Sequence, residues 1–159
     1  MSVNKYQPHI LILPDDDANR QLANGFDRSV AHRQFQILPP AGGWGLVCDL
    51  MASDHAGFMR RYPNRFMVLL IDFDDQPDRL EHVKSRIPED LHERVFVLGA
   101  LTDPEDLRQA LGSYETIGGQ IATDCRNDSQ AIWDHELLQH NASELLRVRD
   151  AVRNFLFPA

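Results

Sequence analysis

The stretch that most constrains the fold is residues 66 to 75, FMVLLIDFDD, in which an unbroken apolar run leads directly into an acidic cluster. A short run rich in branched side chains is typical of a strand buried on both faces, as in a parallel sheet. Asp72, Asp74 and Asp75 then lie at the carboxyl end of that strand. In open α/β sheets, ligands bind at this edge.

A second acidic cluster follows an earlier apolar run, HILIL (9 to 13). The chain continues from this run through Pro14 into Asp15, Asp16 and Asp17. If the two runs form neighbouring parallel strands, both clusters meet at one edge of the sheet. Carboxylates this close repel one another unless a cation lies among them, and their hard oxygen atoms suit Mg²⁺, Mn²⁺ or Ca²⁺ better than zinc.

Helix capping explains some of these acids without a metal. Asp15 or Asp16 is suited to be the N-cap of the following helix, which accounts for one or two of the three aspartates but not for all three. Asp103 precedes Pro104 in a typical helix start, so Asp103 and Glu105 are first interpreted as capping acids. Both nevertheless follow the fourth apolar run and belong to the same edge.

A glycine-rich turn, PPAGGWG (39 to 45), follows the second apolar run. Gly42 and Gly43 mark a place where the backbone adopts positive φ or approaches another group closely. The turn lacks both GxGxxG and the Lys-Ser/Thr ending of a P-loop. A plain connection between strand and helix and a functional loop therefore both remain open.

Four apolar runs alternate with helical patterns, which predicts an α/β fold. We expect a mainly parallel four-stranded central sheet flanked by helices, a Rossmann-like three-layer sandwich in which the first and third strands are adjacent. The predicted strands are HILIL (9 to 13), QFQIL (34 to 38), FMVLLI (66 to 71) and RVFVLGA (94 to 100).

The last third of the chain contains one ambiguous and one clear segment. Residues 113–130 predict a short edge strand or a loop, and their role stays open. From about residue 130, apolar side chains including Trp133 recur at helical spacing, which predicts a C-terminal helical extension packed on the sheet. HELLQH in this segment is not a zinc motif, because His135 and His140 are five residues apart and HExxH needs four.

Length and composition indicate one domain. The chain has 159 residues, 43% of them hydrophobic, which suffices for one substantial core but hardly for two. We therefore expect a single domain over residues 1–159. No apolar run approaches the roughly 18 residues of a membrane span, and no targeting segment is evident, so we expect a cytoplasmic protein without membrane association.

The formal net charge of −8 argues against a free-standing protein that coats nucleic acid. It leaves room for a local basic face, and Arg60, Arg61 and Arg65 lie close together in MRRYPNR. Solvated surface charge is the simpler interpretation of that group.

The order of these motifs resembles a Toprim domain, the metal-binding module of topoisomerases, primases and overcoming-lysogenization-defect nucleases, especially its small stand-alone versions. The resemblance covers roughly residues 8 to 110. It implies that Asp72 and Asp74 are metal ligands with Asp75 as a helper, and that the catalytic position falls within Asp15 to Asp17. It further implies Mg²⁺ or Mn²⁺ as cofactor, action on phosphodiester bonds of DNA or RNA, and a separately encoded ATPase as partner.

The first acidic motif departs from the Toprim pattern. Toprim domains carry a glutamate after the first strand as a ligand or general acid/base, whereas this chain has only Asp15 to Asp17, preceded by Pro14. An aspartate still holds a metal but reaches about one methylene less far. Metal binding survives this departure better than catalysis, so a degenerate Toprim that works as a binding or regulatory module is the alternative.

A receiver domain of a response regulator is the competing resemblance. Receivers also have paired acids after the first strand, an aspartate after the third, and Thr or Ser after the fourth. Asp72 would then be the phosphoacceptor and Thr102 the hydroxyl residue. Receivers need a lysine after a fifth strand, and the only lysines here are Lys5 and Lys84, which favours the Toprim interpretation.

Overall fold

The computed structural model, which describes residues 3–28, 30 and 33–157, contains one parallel sheet. Its strands are β1 (His9–Pro14), β2 (Phe35–Ile37), β3 (Arg65–Leu70) and β4 (Val95–Leu98). They lie in the order β2-β1-β3-β4, and every neighbouring pair is parallel. The predicted α/β class is confirmed, and so is the adjacency of the first and third strands.

Helices cover both faces of the sheet. Their bounds are α1 (Asp17–Asp27), α2 (Trp44–Leu50), α3 (Ala56–Arg61), α4 (Arg79–Ser85), α5 (Pro104–Leu111), α6 (Tyr114–Asn127) and α7 (Ala142–Leu156). Side chains of α1, α5, α6 and α7 pack on one face, and those of α2, α3 and α4 pack on the other. Within the described ranges, no helix is both long and apolar enough to cross a membrane.

The strands are buried on both faces, as their continuous apolar runs predict. In β1, Ile10 and Ile12 belong to the core under α1, α6 and α7, whereas Leu11 and Leu13 belong to the core on the opposite face. This alternation follows from the two-residue period of a strand. The sheet is therefore the middle layer of a three-layer sandwich, and its free surfaces are its edges and ends.

Side chains near the start of α7 cover the outer edge of β4. The backbone N–H of Val97 donates to Glu144 Oε1 at 3.1 Å, and that of Gly99 donates to Asn141 Oδ1 at 3.1 Å. Asn141 Nδ2 returns a hydrogen bond to the Gly99 carbonyl at 2.9 Å. Unpaired strand edges are templates for association, so these contacts take the place of a fifth strand.

The C-terminal helical extension begins later than the sequence predicts. Residues 131–138 form turns, a short 3-10 helix spans Gln139–Asn141, and only then does α7 begin. Trp133 is buried against the side chains of α7, with 6% of its surface exposed. The inward orientation predicted for this aromatic residue is confirmed, although it lies in a turn.

The prediction of an edge strand or loop over residues 113–130 is wrong, because most of this segment forms α6. Helix α6 packs closely against α1 through two glycines. A Cβ atom at Gly118 would lie 2.0 Å from the Leu22 carbonyl oxygen, and one at Gly25 would lie 2.1 Å from that of Glu115. The two backbones therefore touch where neither residue has a side chain.

Two adjacent glycines of α6 test this packing. We expect Gly118→Ala to lower the free energy of unfolding by about 1–3 kcal/mol, because the new methyl group overpacks the contact with α1. Gly119 has no atom within 4 Å of its Cβ position, so Gly119→Ala should raise stability by up to about 1 kcal/mol through helix propensity. Urea unfolding of both variants measures the difference, and equal effects would contradict the close contact.

Candidate metal centre

The pairing of β1 with β3 brings the two acidic segments together. Pro14 lies opposite Leu70 in the register, so both strands end at the same level. One residue later, the Asp15 N–H donates to the Leu70 carbonyl at 2.9 Å. The Asp72 N–H donates to Asp15 Oδ2, also at 2.9 Å. The backbone thereby fixes both aspartates at the carboxyl edge of the sheet.

Three carboxylates form a compact cluster at this edge. One oxygen atom each from Asp15, Asp16 and Asp72 lies within 4.8 Å of the others, and together they can hold a metal ion. Asp15 is buried, with 3% of its surface exposed, and the other two are partly buried. The cluster therefore combines two predicted acids that follow β1 with one that follows β3.

A buried asparagine, Asn19, links the three carboxylates. Its Nδ2 donates to Asp15 at 2.7 Å, to Asp72 at 2.9 Å and to Asp16 at 3.0 Å. An amide has two hydrogens for these three acceptors, so the cluster has fewer donors than it needs. Asn19 itself is fully buried, and its Oδ1 has no partner among the described residues. Leaving such an acceptor unpaired costs free energy. The orientation of Asn19 is therefore explained by the hydrogen bonds that its Nδ2 donates to the carboxylates.

The position of Asn19 follows from the start of α1. Asp16 is the N-cap of this helix, and its side chain accepts the backbone N–H of Asn19 at 2.9 Å. The capping role expected from the sequence is thus present. Because Asn19 lies in the first turn, directly above the carboxyl end of β1, its amide reaches Asp72 on the neighbouring strand.

Burial and mutual repulsion perturb the titration of the cluster. Burial, followed by the charge of Asp15, raises the pKa of Asp72 to about 8. Burial also raises the pKa of Asp15 to about 6, although the hydrogen bond from the Asp72 N–H opposes this rise. Without a cation, the cluster therefore retains a proton on Asp72 at neutral pH.

These raised pKa values predict how stability depends on pH in the absence of metal. The folded protein binds protons at Asp15 and Asp72 more tightly than the unfolded chain does. The stabilisation that comes from these bound protons is complete below about pH 4 and is lost as pH rises through about 6 and 8. In EDTA, the free energy of unfolding should fall more steeply between pH 4 and 8 for the wild type than for Asp72→Asn. Urea titrations at stepped pH measure both slopes, and identical slopes would show that Asp72 is not perturbed.

The glycine-rich turn supports the cluster from the β2 side. The N–H groups of Gly42 and Gly43 both donate to the Asp15 carbonyl, at 2.8 and 2.9 Å. Their φ angles are 100° and 133°, a region that favours glycine. Because both N–H groups are engaged with Asp15, the turn positions the acidic segment and does not offer these donors to a phosphate.

An open cleft of about 520 Å³ lies over the cluster. Five of the nine described residues that line it are aspartates, and the indole of Trp44 also lines it. The lining residues are Asp15, Asp16, Asp17, Pro40, Gly42, Gly43, Trp44, Asp72 and Asp74.

Asp17 lies at this edge but outside the cluster. As the first residue of α1, its carboxylate accepts hydrogen bonds from Arg20 at 2.7 Å and from Gln21 at 2.8 Å. The hydrogen bond from Gln21 has the larger effect, and together with that from Arg20 it lowers the pKa of Asp17. Its charge is thus satisfied along the helix, and it is not one of the triad, although it borders the cleft.

Asp74 and Asp75 follow Asp72 closely but are not part of the triad. Both adopt positive φ, 48° and 56°, which is uncommon for residues other than glycine. The Asp74 carboxylate forms an ion pair with Arg79 at 2.6 Å and is 60% exposed, and Asp75 is exposed. Asp74 is the second aspartate of the DxD motif formed by residues 72–74. Its carboxylate is therefore paired with the Arg79 guanidinium.

Asp103 and Glu105 lie at the same end of the sheet, on α5. The Asp103 side chain accepts the backbone N–H of Glu105 at 3.0 Å and is the N-cap of the helix, and both residues are exposed. The capping interpretation of Asp103 is confirmed, whereas Glu105 lies in the first turn, where an acid is favoured. Neither residue joins the carboxylate triad.

No motif in the sequence singles out Arg79 or Asn19. Arg79 donates to the Asp72 carbonyl at 3.0 Å and to Asp74, and its guanidinium lies 4.7 Å from the centroid of the Trp44 ring. Arg79 is the first basic residue after the acidic cluster, and Asn19 is three residues after an N-cap. These two positions in the sequence are the only local signals that point to either residue.

Comparisons of the chain with protein-family models, curated proteins and solved structures find no match. The carboxylate cluster and the order of motifs in the sequence are therefore the basis for a functional assignment.

Proposed function

We propose that this chain is a Toprim-like, Mg²⁺-dependent protein that acts on phosphodiester bonds of DNA or RNA, with a separately encoded ATPase as partner. The observation that carries the proposal is the convergence of Asp15, Asp16 and Asp72 at the carboxyl edge of the sheet, with ligand atoms within 4.8 Å of one another. The order of acidic and glycine-rich motifs supports the choice of a phosphodiester substrate.

The donor set fits a hard divalent cation. Mg²⁺ and Mn²⁺ prefer carboxylate oxygens, and Mg²⁺ commonly uses one or two carboxylates together with water and substrate phosphate. The cluster offers three carboxylates that share one amide donor, Asn19. A bound cation would supply positive charge to a phosphate ester and lower the pKa of a coordinated water.

The chain's own residues have distinct roles in this proposal. Asn19 and the Asp72 N–H each bond one oxygen of Asp15, so this carboxylate has a fixed orientation. Asp72 has its pKa raised to about 8, and it would give up its proton to hold a bound cation. Arg79 places a guanidinium beside Asp72 and Asp74, where it compensates part of the negative charge of the edge.

Melting temperature tests cation binding without any substrate. A cation that binds only the folded state stabilises it by RT ln(1 + [L]/Kd), about 2.7 kcal/mol at a hundred times Kd. We expect Mg²⁺ and Mn²⁺ to raise the melting temperature of the wild type and to do so much less for Asp72→Asn. Asp17→Asn is the matched control, because Asp17 lies at the same edge but bonds Arg20 and Gln21.

The control variant, Asp17→Asn, should keep the full rise in melting temperature. Equal shifts in Asp72→Asn and the wild type would show that the ion binds elsewhere. Asp74→Asn adds a further distinction, because Asp74 pairs with Arg79 in this structure. A full shift in this variant assigns the ligands to the triad, whereas a lost shift means that the DxD loop rearranges around the ion, as the Toprim resemblance implies.

Nucleic-acid cleavage tests the activity directly. Supercoiled plasmid and single-stranded oligonucleotides are incubated with the protein and Mg²⁺ or Mn²⁺, and the products are separated on gels. We expect cleavage by the wild type and by Asp17→Asn, and none by Asp72→Asn. Cleavage that persists in Asp72→Asn would contradict the proposal. Cation binding without cleavage would instead favour a degenerate Toprim-like module that binds or regulates, as the absent glutamate suggests.

A receiver-like phosphoacceptor is the second candidate, favoured by the composition of the triad. Two acids after β1 and one after β3 form it, while Asp74 is turned towards Arg79. Against this candidate, Lys84 pairs with Glu144 at 3.5 Å, and Lys5 lies near the amino ends of the strands, over Tyr62. Mass spectrometry after treatment with acetyl phosphate separates the candidates, since only a receiver becomes phosphorylated at Asp72.

A further inference from the structure

The amino-terminal edge of the sheet carries a cluster of basic and aromatic side chains. Three cations surround the ring of Tyr62, which precedes β3. Lys5 Nζ lies 5.4 Å from its centroid, and the guanidinium carbons of Arg61 and Arg65 lie at 5.6 and 5.1 Å. We use the term basic face for Lys5, Tyr6, Arg61, Tyr62, Arg65 and Arg94.

Among the described residues, Lys5, Arg61 and Arg65 of the basic face form no ion pair, whereas the charge of Asp90 acts on Arg94. Within the described ranges, no carboxylate oxygen lies within 4.0 Å of the four basic groups, Lys5, Arg61, Arg65 and Arg94. The neighbouring Arg60, by contrast, pairs with Asp90 at 2.8 Å. In a chain with a net charge of −8, such a group of unneutralised cations is unexpected. Simple solvated surface charge, the interpretation favoured from the sequence, does not explain why they gather around one ring.

Part of the basic face is rigidly held. Arg65 is 7% exposed, and its Nε donates to Nε2 of the buried His9 at 3.0 Å. The other ring nitrogen of His9 lies 2.8 Å from the Gln7 carbonyl, so His9 is neutral, and burial lowers its pKa. Arg94 Nη1 donates to the Arg65 carbonyl at 2.9 Å. Ordered guanidinium groups lose less conformational entropy when an anion binds.

Exposed groups complete the surface. Lys5 and Arg61 are exposed, and Tyr6 is 77% exposed. The Tyr6 ring meets the Tyr62 ring edge to face, with 6.3 Å between centroids and an interplanar angle of 77°. The exposed ring of Tyr6 thus lies beside cations on one side of the molecule. Cations that contact phosphates, together with aromatic rings on which bases stack, are the combination that binds single-stranded nucleic acid.

We propose that the basic face binds single-stranded nucleic acid, with phosphates against Lys5 and Arg61 and a base on Tyr6. The face lies at the amino ends of β1 and β3, whereas the carboxylate cluster lies at their carboxyl ends. Six residues of parallel strand separate the two edges by about 20 Å. The proposal goes beyond the cation-dependent function, because this surface needs no metal.

Fluorescence anisotropy with a labelled oligo-dT strand in EDTA tests the proposal. We expect saturable binding by the wild type that weakens as salt is added. In a plot of the logarithm of the binding constant against the logarithm of the salt concentration, each phosphate contact should contribute about −0.7 to the slope. The exposed double change Lys5→Glu/Arg61→Glu should weaken binding at least about tenfold and flatten this slope. Tyr6→Ala should weaken binding by about fivefold or more and leave the slope unchanged, because stacking releases no counterions.

Arg108→Glu is the matched control. Arg108 is also an exposed cation, it has no carboxylate oxygen of the described residues within 4.0 Å, and it lies 5.7 Å from the ring of Tyr114. Unchanged affinity in Arg108→Glu supports the basic face. The proposal is overturned by absence of binding in the wild type, by an equal loss in Arg108→Glu, or by unchanged affinity in Lys5→Glu/Arg61→Glu, which would place the nucleic acid elsewhere on the molecule. Binding to phosphatidylserine vesicles without binding to the oligonucleotide would also overturn it.

Discussion

The parallel pairing of β1 with β3 is the interaction on which the structure of the candidate site depends. Both strands are buried between two apolar layers, and the register that places Pro14 opposite Leu70 puts Asp15 and Asp72 at one level. A slip by one residue would turn every side chain of a strand to the opposite layer. Packing of the core therefore fixes the geometry of the carboxylates.

Several locally unfavourable features coincide at the carboxyl edge. Asn19 has a buried carbonyl oxygen without a described partner, Asp72 has a pKa raised to about 8, and Asp74 and Asp75 both adopt positive φ. Each feature costs stability, and the surrounding fold has to offset that cost. Natural sequences concentrate such conflicts at functional sites, where local rules are broken. Their coincidence around one cleft supports a binding role for this edge more strongly than the acidic residues alone.

Local signals explain which parts of the fold the sequence could predict. The four apolar runs predicted the strands, and Asp103 with Pro104 predicted the start of α5, because burial patterns and helix caps are encoded by adjacent residues. Helix α6 escaped prediction because Gly118 and Gly119 weaken its helical pattern, and the need for Gly118 arises only from contact with α1. Asn19 was missed for a similar reason, since its bond to Asp72 spans 53 positions of the chain.

The two ends of the sheet carry opposite and unsatisfied charge. Asp15, Asp16 and Asp72 share too few donors at the carboxyl edge. At the amino edge, Lys5 and Arg61 form no ion pair with any described residue. The strands hold these groups about 20 Å apart, roughly twice the distance over which charges interact through physiological salt. Neither edge can therefore neutralise the other within one molecule. In the two proposals, a cation neutralises the carboxylates and a nucleic acid neutralises the basic face, and the polarity of the strands places the two sites at opposite ends of the sheet.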